Sequence, residues 1–142
     1  MKRTLVAFTM LAAAACTGQA LADGNFNYIT AQKLAQEIKA GEKLYIIDIQ
    51  VEPEYVQHHI QGAVPTYAFP VKSAEERAKL DKSIPALKAS ADPVVIICPR
   101  GQGGAERAYS HLAEKGVDQK RLFILEKGQA GFSDQDLTRT GK

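Results

Sequence analysis

The segment VVIICPRGQGGAERA, residues 94–108, carries the most information about how this chain folds. Four β-branched apolar residues, which are typical of a buried strand, lead directly into one cysteine. A glycine-rich turn follows Cys98, and a helix-forming stretch follows the turn. The thiol therefore stands at the tip of a predicted strand. It is either a small buried hydrophobe or a nucleophile surrounded by backbone amides.

The same alternation of strand and helix signals runs along the whole chain. Apolar runs at 44–49, 94–97 and 122–125 predict buried strands, and amphipathic stretches at 31–40 and 104–115 predict helices. Weaker signals predict short helices at 52–56 and 74–80 and a short strand at 63–64. This order predicts one α/β domain with a mainly parallel sheet, whose ligand site lies beyond the carboxyl ends of the strands. The polar stretch 133–142 is expected to be a loose tail.

The N-terminus reads as an export signal. Lys2 and Arg3 precede an apolar stretch, residues 5–15, that is too short to cross a bilayer as a helix. Ala20 and Ala22 supply the small residues of a cleavage site. We therefore expect residues 1–22 to be a signal peptide, cleaved near Ala22.

The domain is then residues 23–142, in a periplasmic or secreted protein. The alternative is a lipid anchor at Cys16, which would be the chain's one attachment to a membrane. Residues 1–22 hold two of the 18 basic residues and none of the 16 acidic ones, so the rest of the chain has no net charge. The sequence has no basic patch of the kind that binds nucleic acid. Cys98 is the one cysteine left to the domain, and a lone thiol in an oxidising compartment indicates intermolecular pairing or reactivity.

The residues after Cys98 have the composition of an anion-binding loop. Glycines let successive amides point inward, and the start of the next helix adds free N–H groups. Such a loop favours a thiolate, or the anionic sulfur of a persulfide. Arg100 adds positive charge at the rim, and Pro99 stiffens the exit from the strand. The full set of loop residues is Pro99, Arg100, Gly101, Gln102, Gly103 and Gly104.

The loop and its surroundings resemble a rhodanese domain. In that family a strand ends in a nucleophilic cysteine, and a six-residue loop cradles its persulfide before a helix. The similarity extends over four segments in the family's order: Asn27-Tyr28-Ile29-Thr30-Ala31, Ile47-Asp48-Ile49 followed by Glu54-Tyr55 and His59-Ile60-Gln61-Gly62-Ala63, the Cys98 loop, and Leu125-Glu126-Lys127-Gly128 before Phe132. The resemblance implies a rhodanese-like fold, with a central, mainly parallel five-stranded sheet and helices on both faces.

Several positions depart from the family pattern. Gln50 stands where an arginine is common, Gly103 where Arg or Thr is common, His58 where Gly is common, and Phe132 where Trp is usual. The first two changes remove groups that help order the site or grip an anionic donor. They leave open whether thiosulfate is the donor. Arg100 is the candidate to supply the missing charge.

The other polar residues that stand out are expected to have structural or surface roles. Asp48 is expected to order the loop through hydrogen bonds, and His59 to tie its turn to neighbouring segments. Glu106 and Arg107 are expected in the first turns of a helix and in contact with solvent, with a position facing the site as the alternative for Arg107. No metal or cofactor is expected, because ligand spacing and the Lys-Ser/Thr ending of a phosphate-binding P-loop are both absent.

Three functions follow from these residues. The first is an exported sulfurtransferase, which carries a sulfane sulfur as a Cys98 persulfide from a small donor to a thiol, to cyanide or to a protein thiol. The second is a non-catalytic persulfide or redox carrier that docks a specific cell-envelope partner. The third is a cysteine-loop phosphatase or arsenate reductase, which would need a longer loop ending in arginine, whereas Gly104 stands at that place.

Overall fold

The computed structural model describes residues 24–142. The expected signal peptide, its cleavage near Ala22 and the alternative anchor at Cys16 lie outside this part of the chain. Within it, no helix is both long enough and apolar enough to cross a membrane.

Seven strands and five helices alternate along the described chain. The strands are β1 (Tyr28–Ile29), β2 (Tyr45–Asp48), β3 (His59–Ile60), β4 (Val64–Pro65), β5 (Val94–Ile97), β6 (Leu122–Leu125) and β7 (Thr138–Arg139). The helices are α1 (Ala31–Lys39), α2 (Glu52–Gln57), α3 (Ala74–Asp81), α4 (Ile84–Lys88) and α5 (Gly103–Glu114).

Five strands form one parallel sheet in the order β1-β6-β5-β2-β4. The central strand β5 pairs with β2 along its whole length, so that Asp48 lies beside Ile97, and its first three residues pair with β6. All four residues of β5 are fully buried, as their β-branched apolar side chains predict. The strands β3 and β7 form a separate antiparallel pair.

Helices cover both faces of this sheet. Leu80 of α3, Leu87 of α4 and Leu112 of α5 pack on the face that also holds Cys98. Leu34 of α1 and Tyr55 of α2 pack on the opposite face. The predicted α/β fold, with a five-stranded sheet between two helical layers, is confirmed.

The longer predicted elements match the structure within one or two residues. Thr30 caps α1, and its hydroxyl accepts a hydrogen bond from the Lys33 amide (3.1 Å), as expected of an N-cap. Four short elements were not predicted: helix α4 and the two-residue strands β1, β3 and β7. Two to five residues are too few to show a hydrophobic period, and these elements depend on packing against the rest of the domain.

The expectation of a loose C-terminal tail is wrong. β7 pairs with β3, and Leu137 is buried in the core on the α1 side of the sheet. The Gln61 amide also donates a hydrogen bond to the Leu137 carbonyl (2.7 Å). One apolar residue in a polar segment is a weak sequence signal, but here it is enough to hold the segment against the domain.

Because Leu137 is buried, the substitution Leu137→Ala should lower the free energy of unfolding by about 2 kcal/mol. Gln135→Ala changes an exposed side chain two residues away and should have little effect. Urea unfolding of both variants checks this. Equal stability of the two variants would show that the tail does not contribute to the core.

Candidate active site

Cys98 directly follows β5 at the carboxyl edge of the sheet. Its side chain is 2 % exposed, and Sγ accepts a hydrogen bond from the Gly101 amide (2.8 Å). α5 begins at Gly103, one residue earlier than predicted. The thiol therefore lies inside a tight loop between a buried strand and a helix N-terminus.

Several amides around the thiol are free. Within residues 24–142, the N–H groups of Arg100, Gln102, Gly103 and Gly104 have no hydrogen-bond acceptor. The last two belong to the first turn of α5, where the helix dipole is positive. The loop thus holds donors that an anionic sulfur or oxygen can use.

The turn after β6 packs against the Cys98 loop and hydrogen-bonds to its backbone. The Gln129 amide donates to the Cys98 carbonyl (2.8 Å), and the Ala130 amide donates to the Pro99 carbonyl (3.1 Å). Because β5 and β6 are neighbours in the sheet, their two following loops leave the same edge side by side. These two bonds hold the backbone on either side of the peptide bond between Cys98 and Pro99.

Two glycines let the loop and the turn approach so closely. Gly101 has φ +71° and Gly128 has φ +57°, both in the left-handed region. A Cβ atom on Gly128 would lie 2.2 Å from the Cys98 carbonyl oxygen, and one on Gly101 would lie 2.5 Å from the Lys127 amide nitrogen. Both obstacles are backbone atoms, so neither site has room for a side chain.

The substitution Gly128→Ala should therefore destabilise the fold by more than about 3 kcal/mol and displace Cys98. Gly41→Ala is the matched control, because Gly41 has a similar φ of +72° but no atom within 4 Å of its would-be Cβ. It should cost about 1 kcal/mol. Urea unfolding gives both values, and equal losses would show that the close approach is unimportant.

The thiol opens into a cavity of about 190 Å³. Arg100, which is exposed, and Arg107 both line this cavity. Of the two positions expected for Arg107, the structure has the one that faces the site, and its Nε donates to the Pro70 carbonyl (2.9 Å). A Cβ on Gly103 would lie 2.9 Å from Nη1 of Arg107, so the absent side chain at Gly103 makes room for the guanidinium.

The wall opposite the loop comes from the segment between β4 and α3, in which the sequence shows no motif. Phe69 lines the cavity, and its ring would lie 2.8 Å from a Cβ on Gly104. Tyr67 and Val71 flank it with positive φ values of 56° and 61°. Non-glycine residues seldom adopt this conformation, and in folded proteins such strain is often found beside functional sites.

Asp48 lies on the other side of the sheet. Its register partner Ile97 belongs to the opposite core, and successive strand residues alternate in direction, so the Asp48 and Cys98 side chains point to opposite faces. Its two carboxylate oxygens accept hydrogen bonds from the backbone and side-chain amides of Gln50 (2.9 and 3.0 Å). The Asp48 side chain therefore hydrogen-bonds Gln50 and makes no direct hydrogen bond to the cysteine loop.

A chain of polar contacts nevertheless joins Asp48 to the loop. The side-chain amide of Gln50 also donates to the His58 carbonyl (3.1 Å), and that of Gln129 donates to Nδ1 of His58 (2.8 Å). The Gln129 backbone in turn holds Cys98. Two positions that depart from the family pattern, Gln50 and His58, are thus part of one partly buried network.

His59 ties its turn to α2. Its Nδ1 donates to the Tyr55 carbonyl (2.8 Å), and its ring stacks on the Tyr55 ring at 4.0 Å. The side chain is buried among these contacts. Among the described residues, no three His, Cys, Asp or Glu side chains come together as a metal site requires.

Burial raises the pKa of Asp48 to about 6, against the hydrogen bonds from Gln50 that favour the carboxylate. The folded protein then holds this proton more tightly than the unfolded chain. Stability from Asp48 is therefore present at pH 4 and is lost as the pH rises through about 6, by an amount of order 3 kcal/mol.

Unfolding measured from pH 4 to 7 on the natural chain and on Asp48→Asn, which cannot ionise there, checks this. The difference between the two free energies should shift in favour of the variant as the pH rises. A constant difference would contradict a raised pKa for Asp48.

With this geometry in place, comparison with known proteins identifies the family. The model of the rhodanese-like domain matches residues 30–135, about three quarters of the chain. The chain belongs to the rhodanese-like domain family. No curated protein sequence matches it.

Solved structures of several activities share the fold. A yeast protein tyrosine phosphatase of the rhodanese family has 17% identity and a TM-score of 0.61, with 85% of this chain and 96% of that chain covered. An As-Sb reductase from Leishmania major has 15% identity and a TM-score of 0.63, with coverage of 82% and 86%. A thiosulfate sulfurtransferase from Pseudomonas aeruginosa has 20% identity and a TM-score of 0.60, with 82% of this chain but 20% of that longer chain covered. At these identities the likeness shows the fold and does not choose among the activities.

Proposed function

We propose that this protein is a sulfurtransferase that carries a sulfane sulfur as a persulfide on Cys98. The observation that carries the proposal is the loop itself: a buried thiol accepts a hydrogen bond from the Gly101 amide, and four further amides of the loop and helix start lack an acceptor within the described chain. A persulfide ends in an anionic sulfur, which these donors and the nearby Arg107 stabilise. A cysteine that served only as a buried apolar residue would not require these hydrogen-bond donors.

The reaction has two steps. The Cys98 thiolate attacks the sulfane sulfur of the donor, a new S–S bond forms, and the donor's bond to that sulfur breaks, with the electron pair leaving on the donor. In the second step a thiolate or cyanide attacks the outer sulfur of the persulfide. The S–S bond breaks, its electron pair returns to Cys98 Sγ, and the acceptor leaves with the sulfur. No cofactor and no net oxidation are required.

The export of the protein is also part of the proposal. Residues 1–22 have the composition of a signal peptide, and without them the chain has no net charge. We place the domain in the periplasm or outside the cell, where Cys98 stays reduced because it is buried and no second cysteine lies in residues 24–142. A lipid anchor at Cys16 is the alternative way of placing the same domain.

A cysteine-loop phosphatase or arsenate reductase is the other function that an observation favours, because Arg107 brings a guanidinium to the Cys98 cavity. In a cysteine-loop phosphatase or arsenate reductase, arginine grips the tetrahedral substrate. Here the loop from Cys98 to Gly103 is six residues long, and the arginine comes from the following helix. The short loop favours a single sulfur atom over a tetrahedral anion.

Incubation with thiosulfate, and separately with inorganic polysulfide, should add one sulfur to the protein. Intact mass spectrometry should show a gain of about 32 Da that cyanide removes, because a persulfide on Cys98 is a sulfane sulfur. The variant Cys98→Ser should show no gain. Absence of an adduct with every sulfane donor would overturn the proposal.

The same preparations separate the alternatives. Repeated turnover with a small donor and cyanide indicates an enzyme, whereas one loading without turnover indicates a carrier that discharges to a specific partner. The contrary result is release of phosphate from p-nitrophenyl phosphate, or reduction of arsenate, by the natural protein. If Cys98→Ser loses that activity, the protein is a phosphatase or an arsenate reductase rather than a sulfurtransferase.

A further inference from the structure

Two arginines line the Cys98 cavity, and they differ in how firmly they are held. Arg100 is exposed, and its side chain forms no hydrogen bond within residues 24–142. Arg107 is partly buried, and its Nε donates to the Pro70 carbonyl (2.9 Å). The sequence makes Arg100 the candidate for the charge that the loop lacks, but of the two side chains only that of Arg107 is anchored.

The segment that anchors Arg107 is itself tied to the sheet. The amide of Phe69, the residue before Pro70, donates to the Ile49 carbonyl (2.8 Å). The Ile49 amide in turn donates to the carbonyl of Ile97, the last residue of β5 (2.9 Å). The guanidinium is therefore held in place before any ligand arrives. A side chain that is already ordered loses less conformational freedom when a ligand binds to it.

The missing side chain at Gly103 gives the guanidinium its place. Gly103 opens α5, and Arg107 lies about one helical turn later. A Cβ on Gly103 would lie 2.9 Å from Nη1 and 3.9 Å from Nη2 of Arg107. The charge that the family often carries at position 103 thus reaches nearly the same place from the next turn of the helix.

Several hydrogen-bond donors beside this cavity remain free. Nε of Arg107 is used by Pro70, and within the described chain neither Nη1 nor Nη2 has an acceptor. The Gly103 and Gly104 amides lack one as well. A planar guanidinium with two free nitrogens matches the oxygen atoms of an anion. The cavity, at about 190 Å³, is smaller than ordinary small-molecule sites, which begin near 300 Å³, so the anion that fits is compact.

We propose that Arg107 determines which donor this protein uses. It binds the sulfonyl oxygens of thiosulfate or of an organic thiosulfonate, donors in which the sulfane sulfur is bonded to a sulfonyl group. Gly103 is a positioning residue, since its bare backbone keeps the guanidinium in the cavity. The sulfane sulfur enters the loop at Cys98, while the sulfonyl group stays outside the loop against Arg107. This inference rests on the proposed function, because it names the donor class for the same persulfide.

The loading step balances without any further reactant. The Cys98 thiolate attacks the sulfane sulfur and forms the S–S bond of the persulfide. The bond between the sulfane sulfur and the sulfonyl sulfur breaks, and its electron pair leaves on sulfite or on a sulfinate. The total charge is the same before and after. Negative charge grows on the leaving group during this step, and Arg107 stabilises it there.

Three donors test the role of the oxygen atoms. Loading of Cys98 from thiosulfate, from methanethiosulfonate and from inorganic polysulfide is followed over time by intact mass. Polysulfide is also anionic but has no oxygen, so the ratio of thiosulfate to polysulfide loading rates separates oxygen recognition from general attraction of anions. The polysulfide rate also shows whether a variant retains a functional Cys98 loop.

The variant Arg107→Gln should lower this ratio about tenfold or more, because charged hydrogen bonds to the donor are lost. Arg107→Lys should lower it as well, since an ammonium group cannot bond Pro70 and also present a fork to the donor. Arg77→Gln is the matched control. It removes the same charge from a neighbouring cavity of about 420 Å³, which Arg77 and Arg107 both line, but Arg77 does not line the Cys98 cavity. The ratio should not change in that control, and methanethiosulfonate should follow thiosulfate in every variant.

The variant Gly103→Ala tests the positioning role while the arginine is still present. Its methyl group should displace the guanidinium and lower the ratio about fivefold. Alanine favours a helix over glycine, so the free energy of unfolding should not fall. In the double variant Gly103→Ala/Arg107→Gln the ratio should equal that of Arg107→Gln alone, because Gly103 acts through the arginine. Effects that multiply in the double variant would contradict this role.

The outcomes separate this inference from the proposed function. If no sulfane donor loads Cys98, the proposed function fails. If polysulfide loads Cys98 but Arg107→Gln leaves the ratio unchanged, or Arg77→Gln lowers it equally, the role of Arg107 is wrong while the sulfurtransferase stands. Methanesulfonate, which has the oxygens but no sulfane sulfur, gives a second readout. It should compete with thiosulfate in the natural protein and much less in Arg107→Gln, and a lack of competition in the natural protein would also overturn the inference.

Discussion

The backbone of the Cys98 loop lies against the turn that follows β6, and the geometry of the site depends on this contact. Gly101 and Gly128 meet there with no room for a Cβ on either one. Hydrogen bonds from Gln129 and Ala130 then hold the carbonyls of Cys98 and Pro99. The parallel pairing of β5 with β6 brings the two loops together, and the glycines let them touch. This contact fixes the loop that brings the Gly101 amide to 2.8 Å from the Cys98 sulfur.

The distribution of charge follows from the same architecture. Gln50 is neutral where the family often has arginine, so Asp48 has no cationic partner within residues 24–142, and burial raises its pKa. On the other face of the sheet, Gly103 leaves space that Arg107 occupies. Arg107, on the helix after the loop, thus adds its positive charge to that of Arg100, which lies in the loop itself. The Arg107 side chain lines both the Cys98 cavity and the larger cavity beside it.

Much of the fold could be predicted from local pattern. The runs at 94–97 and 122–125 are continuous and apolar because both faces of the central strands are covered, and such runs are legible in sequence. The failures have a common cause. Leu137 is one apolar residue in a polar segment, and β1 and α4 are too short to show a period. Their structure comes from packing against distant parts of the chain, which local pattern does not record.

By itself, the sequence determined that a lone thiol ends a buried strand and enters a glycine-rich loop, because strand burial, turn formation and helix initiation are local properties of neighbouring residues. Only the tertiary structure decided which side chains share the cavity with that thiol. Asp48 precedes a neighbouring loop but points to the opposite face, because strand residues alternate. Arg107 lies nine residues beyond Cys98 and returns to its cavity, because the Pro70 carbonyl and the bare backbone of Gly103 hold it there. Such distances through space depend on the register of the sheet and on the packing of its helices, which no short stretch of sequence contains.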